Sequence, residues 1–127
     1  MSKVLGIDYG EIRIGLAISD ETETFARELD ILSPKDFWSK IKTLILKEEV
    51  QKLVLGWPLN MEGAETQKTK EVGEFILQLE KETGLNVEKM DERLSSQMAG
   101  HLPGGKKNVD SLAAQILLQN YLDRNKN

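Results

Sequence analysis

Acidic residues stand at three places in this sequence where one structural element should give way to another. Asp8 ends the apolar run "VLGID", Asp91 and Glu92 end "LNVEKMDE", and Asp110 opens the apolar-periodic segment "VDSLAAQILLQNYLD". Ligand sites of α/β sheets gather at the carboxyl ends of strands, so these acids converge if the first and last strands lie close together. Clustered carboxylates cannot all ionise in a dry site without a compensating cation. Oxygen-only donors of this kind suit Mg²⁺ or Mn²⁺. Two such ions about 3.5–4 Å apart activate a water and stabilise the leaving oxygen in phosphodiester hydrolysis. On this reading Asp8, Asp91, Glu92 and Asp110 are the metal-ligand candidates. Gly10 lets the backbone turn tightly and lets a substrate come close.

Each acid also has a plainer reading. Asp8 suits a turn. Asp110 suits the first turn of a helix, where the dipole favours negative charge. Asp91 and Glu92 suit a solvated loop in which one of them pairs with Arg93. The metal reading draws its weight from the coincidence of the three locations.

The elements that must position these residues follow from periodicity. "VLGID" is one strand, and "IRIGLAI" over 12–18 alternates as a second, with Ile12, Ile14, Leu16 and Ile18 on one face and Arg13, Gly15 and Ala17 on the other. "DYGEI" joins them as a hairpin turn. "FARELDIL" completes a meander. "SPKD" starts a helix, with Ser33 as cap, Pro34 at its first position and Asp36 in its first turn. "KLVLGWP" over 52–58 is a short buried strand, and "LNMEGAE" a loop. Val72, Phe75, Ile76 and Leu79 mark a second helix, ended by Gly84. "LNVEKM" is the last strand. "SSQMAGHL" suits a short helix, and the final helix turns Val109, Leu112, Ala113, Ile116, Leu117 and Tyr121 inward. The order β-β-β-α-β-α-β-α predicts an α/β fold with a mixed five-stranded sheet flanked by helices.

The 127 residues suit one compact domain, expected to span 1–127. The chain has no cysteine, which excludes disulfides, cysteine metal sites and thiol catalysis. The start shows no signal-peptide pattern and no apolar run approaches membrane-spanning length, so a cytoplasmic protein without a membrane partner is expected. A net charge of −4 speaks against binding nucleic acid over the whole surface, but not against a basic patch beside an acidic site.

Four blocks, "VLGIDYGEIRIGLAISD", "LVLGWPLNMEGAE", "MDERLSS" and "VDSLAAQILLQNYLD", resemble, in order and over nearly the whole chain, the YqgF/RuvX family of pre-16S rRNA nucleases. These are also known as Holliday-junction-resolvase-like proteins. The resemblance implies a ribonuclease H-like fold and a metal-dependent nuclease that matures the 5′ end of small-subunit ribosomal RNA. It implies Mg²⁺ or Mn²⁺ as cofactor, and Asp8, Glu92 and Asp110 as catalytic acids with Asp91 as the rival of Glu92. Relatives of the RuvC type carry their second acid after the fourth strand. Here that place reads "GWPLN", with no acid before Glu62, and this departure moves the second acid to "DER".

Within the same blocks, Gly10, Arg13, Asn60, Arg93, Lys106 and Lys107 are the candidates for contact with nucleic acid. Arg13 suits a phosphate contact or an ordinary surface charge. Arg93 suits a bidentate phosphate clamp or an ion pair with Asp91. Asn60 suits a contact on the active edge or a turn. Lys106 and Lys107 offer backbone contacts without sequence readout. Trp57 suits stacking on a base or packing against its neighbours. The partners expected are structured RNA, DNA junctions and the pre-ribosomal particle, with the protein acting as a monomer or homodimer. Three rivals remain: a four-way-junction resolvase, which would work as a dimer; a nucleotide-binding ATPase of the actin type, for which the chain is short; and a non-catalytic RNA-binding module of ribosome assembly.

Overall fold

The computed structural model describes residues 3–91 and 109–124, the side chains of 109–111 excepted. Five strands, β1 (Lys3–Asp8), β2 (Ile14–Ser19), β3 (Ala26–Leu32), β4 (Val50–Trp57) and β5 (Val87–Asp91), form one sheet in the order β3-β2-β1-β4-β5. The β1, β2 and β3 meander is antiparallel, whereas β4 runs parallel to β1 and β5 parallel to β4. Helices α1 (Pro34–Glu48) and α2 (Gln67–Thr83) supply the parallel crossovers, and α3 (Val109–Arg124) follows β5. This is the mixed α/β sheet expected from the element order.

Two apolar layers cover the sheet. Leu5, Ile7, Leu16, Leu53 and Leu55 pack with Phe37, Ile41, Val72, Phe75 and Leu79 of α1 and α2. Val4, Ala17, Val54 and Met90 pack with Ala114, Leu117, Leu118, Tyr121 and Leu122 of α3 on the other face. Each central strand therefore buries both of its faces, which is why β2 shows no solvent side. The helix signals act as expected. The Ser33 hydroxyl accepts from the Asp36 amide at 3.2 Å, and Gly84 closes α2 at φ 72°.

Three expectations shift. β2 begins at Ile14, and Ile12 is 78% exposed in the connection from β1, because the turn needs residues through Arg13 to reverse the chain. Arg13 thus lies outside the strand rather than on its polar face. β3 begins at Ala26, leaving Phe25 69% exposed. The buried stripe of α3 includes Ala114, Leu118 and Leu122, whereas Leu112 and Ala113 are only partly buried. The cause is Gly6: a Cβ there would stand 2.8 Å from Leu118 Cβ and 3.3 Å from the Ala114 carbonyl oxygen. The helix seats itself where β1 has no side chain. The segment "SSQMAGHL" lies outside the described residues.

Candidate active site

β1 delivers Asp8 to the carboxyl end of the sheet centre. Its face follows from alternation along the strand: Leu5 and Ile7 belong to the α1/α2 layer, and Val4 to the α3 layer. Asp8 therefore takes the α3 face. One step before it, Ile7 pairs with Leu55, so Asp8 stands level with Gly56 of β4. A glycine there leaves room beside the carboxylate on that face.

The direction of α3 brings Asp110 to the same end. Gln115 donates to the Ala26 carbonyl at 3.2 Å, and Gln119 accepts from the Ala26 amide and donates to the Thr24 carbonyl, both at 2.9 Å. Ala26 pairs with Ser19, whose hydroxyl accepts from the Val4 amide at 2.8 Å. These contacts mark the amino end of β1, so α3 runs from the carboxyl end of β1 toward its amino end. Ala114 lies over Gly6. Asp110 is one helical turn earlier, about 6 Å along the axis. Asp8 is two residues beyond Gly6, about 6.6 Å along the strand. The two residues are displaced from one contact point by similar amounts toward the same edge.

β5 separates the rival acids by parity. Val87 packs in the α1/α2 layer and Met90 in the α3 layer, and Asp91 pairs with Trp57. Asp91 thus takes the face opposite to Asp8. Glu92, Arg93, Lys106 and Lys107 lie outside the described residues. Among the described residues no three histidine or carboxylate side chains form a metal-binding group.

The turn after Asp8 is tightly built. A Cβ on Gly10 would stand 2.4 Å from the carbonyl oxygen of Arg13, so only glycine lets the chain close this way. Tyr9 fastens the turn to α2, its ring 4.6 Å from that of Phe75, which in turn lies 5.2 Å from Trp38. Burial, then the nearby charges of Glu71 and Glu11, push the Tyr9 phenol above its usual range. It packs in the α1/α2 layer, on the face opposite to that of Asp8, and is neutral at physiological pH. Arg13, in the same turn, is exposed.

Asn60 shapes the loop after β4. Its carboxamide oxygen accepts from the amides of Glu62 and Ala64, each at 2.9 Å, while its backbone amide donates to Ala64 at 2.9 Å. The loop then passes into α2 through Thr69, which is fully buried. The Thr69 hydroxyl accepts from the Thr66 amide at 2.9 Å and donates to the Pro58 carbonyl. Trp57 packs rather than opening to the site: Lys89 Nζ lies 4.1 Å from its ring centre, and Gly73 of α2 passes its edge. Lys68, in the first turn of α2, shares a hollow with Arg13. Nothing in the polar stretch "QKTKE" singles it out in sequence, because only the α2 crossover brings it to the β1–β2 turn.

Comparison with known proteins identifies the family and the fold. Residues 2–124 match the RuvX family, described as Holliday junction resolvase. A protein of Maridesulfovibrio salexigens named "Putative pre-16S rRNA nuclease" is 38% identical, the alignment covering 96% of this chain and 98% of that protein. One of the same name from Ruminiclostridium cellulolyticum is 36% identical over 96% of this chain and 94% of that one. Among solved structures, Thermus thermophilus RuvC in complex with Holliday junction substrate superposes with a TM-score of 0.58 at 14% identity, covering 98% of this chain and 96% of that one. The fowlpox virus resolvase bound to Holliday junction DNA gives 0.54 at 13% identity, covering 98% and 99%. The fold is therefore the ribonuclease H-like fold of RuvC. From the match along its sequence and the identity to these relatives, the chain belongs to the RuvX family.

Proposed function

We propose that this protein is a divalent-metal-dependent nuclease that hydrolyses phosphodiester bonds, acting on the 5′ end of pre-16S ribosomal RNA. The observation that carries the reading is the meeting of Asp8 and the first turn of α3 at one sheet edge, set by the contact of Ala114 and Leu118 with Gly6. Family membership and the names of the relatives support the reaction class.

The donor set fits a hard cation. Carboxylates are the preferred ligands of Mg²⁺ and Mn²⁺, and Gly56 leaves space beside Asp8. Asp8, Glu92 and Asp110 would hold the ions. Glu92 is taken as the second acid on the family resemblance, and Asp91, which lies on the opposite face of β5 from Asp8, is the weaker candidate. When bound, the ions supply Lewis-acid stabilisation and an activated water. The chain's own groups do the rest. Asp8 anchors the reacting phosphate's side of the sheet, and Gly10 admits the backbone. Arg13, Arg93, Lys106 and Lys107 offset phosphate charge, and Asn60 holds the β4–α2 loop that borders the cleft.

The whole of 1–127 acts as one nuclease domain in the cytoplasm, on nucleic acid presented by a pre-ribosomal particle. No helix among the described residues is long and apolar enough to cross a membrane. One site cuts one strand, so a monomer suffices for RNA. The RuvC-like fold supports a second reading, a junction resolvase, which would require a homodimer to cut two strands symmetrically.

The test is cleavage of labelled RNA carrying the small-subunit 5′ leader, and of a four-way DNA junction, with Mg²⁺ or Mn²⁺. Asp8→Asn and Glu92→Gln should each lose at least about 100-fold in rate, beyond the 10–100-fold typical of groups that only support a metal ligand. Asp91→Asn should retain most activity. Junction cutting without RNA cutting moves the assignment to the resolvase. Equal cutting by Asp8→Asn removes the site.

A further inference from the structure

The β1–β2 turn and the first turn of α2 face each other across an open hollow of about 410 Å³, lined by Gly10, Glu11, Ile12, Arg13 and Lys68. Its walls are fixed from both sides. Tyr9 packs its ring at a tilt against Phe75 and holds the turn to α2, and the Thr69 hydroxyl bonds the start of α2 to Pro58 after β4. The hollow begins two residues after Asp8 at the same sheet edge, on its α2 side, whereas the Asp8 side chain takes the α3 face.

Two cations from distant parts of the chain meet in this hollow. Arg13 and Lys68 are both exposed, come from distant parts of the sequence and share one recess. Lys68 sits in a helical turn where the backbone dipole opposes a cation, and that turn holds no acid to offset it. Glu11 lines the recess as well, so cations outnumber acids among its lining residues. A phosphodiester carries one negative charge and is the matching guest. Gly10, whose missing Cβ lets the turn close on the Arg13 carbonyl, sets the shape of this wall.

We propose that this hollow seats one phosphodiester of the substrate close to the scissile bond, and that Lys68, together with Arg13, is a substrate-binding residue. The proposal rests on the nuclease reading above. Contacts of this type position a nucleic acid without reading its sequence.

The test is binding rather than cleavage, by fluorescence anisotropy of the labelled leader RNA and of a four-way DNA junction, in EDTA, over a range of salt concentrations. Losing one phosphate contact should weaken binding at about 0.1 M salt by about 8-fold for duplex or about 5-fold for single strands, and lower the slope of log K against log salt by about 0.9 or about 0.7 respectively. Lys68→Ala should show this loss, and Lys68→Arg should restore binding. Lys70→Ala removes the same charge two residues away, from a residue lining a different hollow with Trp57 and Glu65, and should change binding less. Glu11→Gln should tighten binding. Both lysines are exposed, so these variants leave the core intact. If the wild type binds while Lys68→Ala and Lys70→Ala behave alike, the phosphate seat is wrong and the nuclease reading stands. If the wild type binds neither nucleic acid, both fall.

Discussion

Replacing Gly6 with alanine tests whether the approach of α3 to β1 builds the site. The new Cβ would stand 2.8 Å from Leu118 Cβ and 3.3 Å from the Ala114 carbonyl oxygen. Carbon atoms in contact settle about 3.5–4.0 Å apart, so α3 must back away by about 1 Å. Overpacking of this size costs about 1–3 kcal/mol. For a domain between the small and mid-sized classes, each kcal/mol lowers Tm by about 3–5 °C, giving a loss of about 3–15 °C. The same displacement moves Asp110 relative to Asp8. With Asp110 in the proposed ligand set, a shift of about 1 Å should lower the rate by on the order of 100-fold. Thermal denaturation by circular dichroism and metal-dependent cleavage at about 25 °C, where the variant is still folded, read the two effects separately. Gly73→Ala is the control: its Cβ would meet Trp57 at 3.6 Å, an ordinary contact, inside a helix. There the same substitution should stabilise by about 0.5–1 kcal/mol. A Gly6→Ala protein as stable as the wild type would refute the packing argument. One that is destabilised yet fully active would refute the claim that this contact places the acid.

Two further outcomes follow from the same geometry. Thr69→Val keeps the shape of a fully buried side chain but strands the Pro58 carbonyl and the Thr66 amide. Urea denaturation should show a loss of about 1–3 kcal/mol with an unchanged m-value, and a loss within error would mean that water or another group replaces the hydroxyl. Asp20 closes the β2–β3 turn. Hydrogen bonds from the Thr24 amide, the Thr22 hydroxyl and the Phe25 amide outweigh its slight desolvation and hold its carboxyl below its ordinary value of 3.8. A depressed folded-state value means the carboxylate stabilises the fold above the unfolded value, and that contribution is lost as pH falls through the folded one. The Tm gap between wild type and Asp20→Ala should therefore be present at neutral pH and narrow below about pH 3.8. A gap independent of pH would show that the charge plays no part.

Most of the architecture was legible in the sequence because it is written in local terms. Alternation marks the strands, Ser33 and Pro34 mark the start of α1, and Gly84 marks the end of α2. Ile12 misled because alternation does not stop where pairing stops: the turn after Asp8 takes Ile12 and Arg13 for its own reversal. The face of α3 misled because its apolar residues nearly encircle it, so only the partner surface chooses among them. That partner is Gly6, whose missing side chain admits Ala114 and Leu118.

The candidate acids were visible as types and positions. Residue order alone determined that Asp8, Asp110 and the Asp91–Glu92 pair stand at the ends of elements. It could not say which end meets which, since that depends on strand order and on the direction of α3 across the sheet. The tertiary structure decided that Asp8 and the first turn of α3 share an edge, and that Asp91 takes the far face from Asp8. It also brought Lys68 to Arg13, a pairing without sequence signature, because a crossover folds two distant turns onto one recess. Periodicity is a property of neighbours along the chain, whereas a site is made by packing between elements that the chain keeps apart.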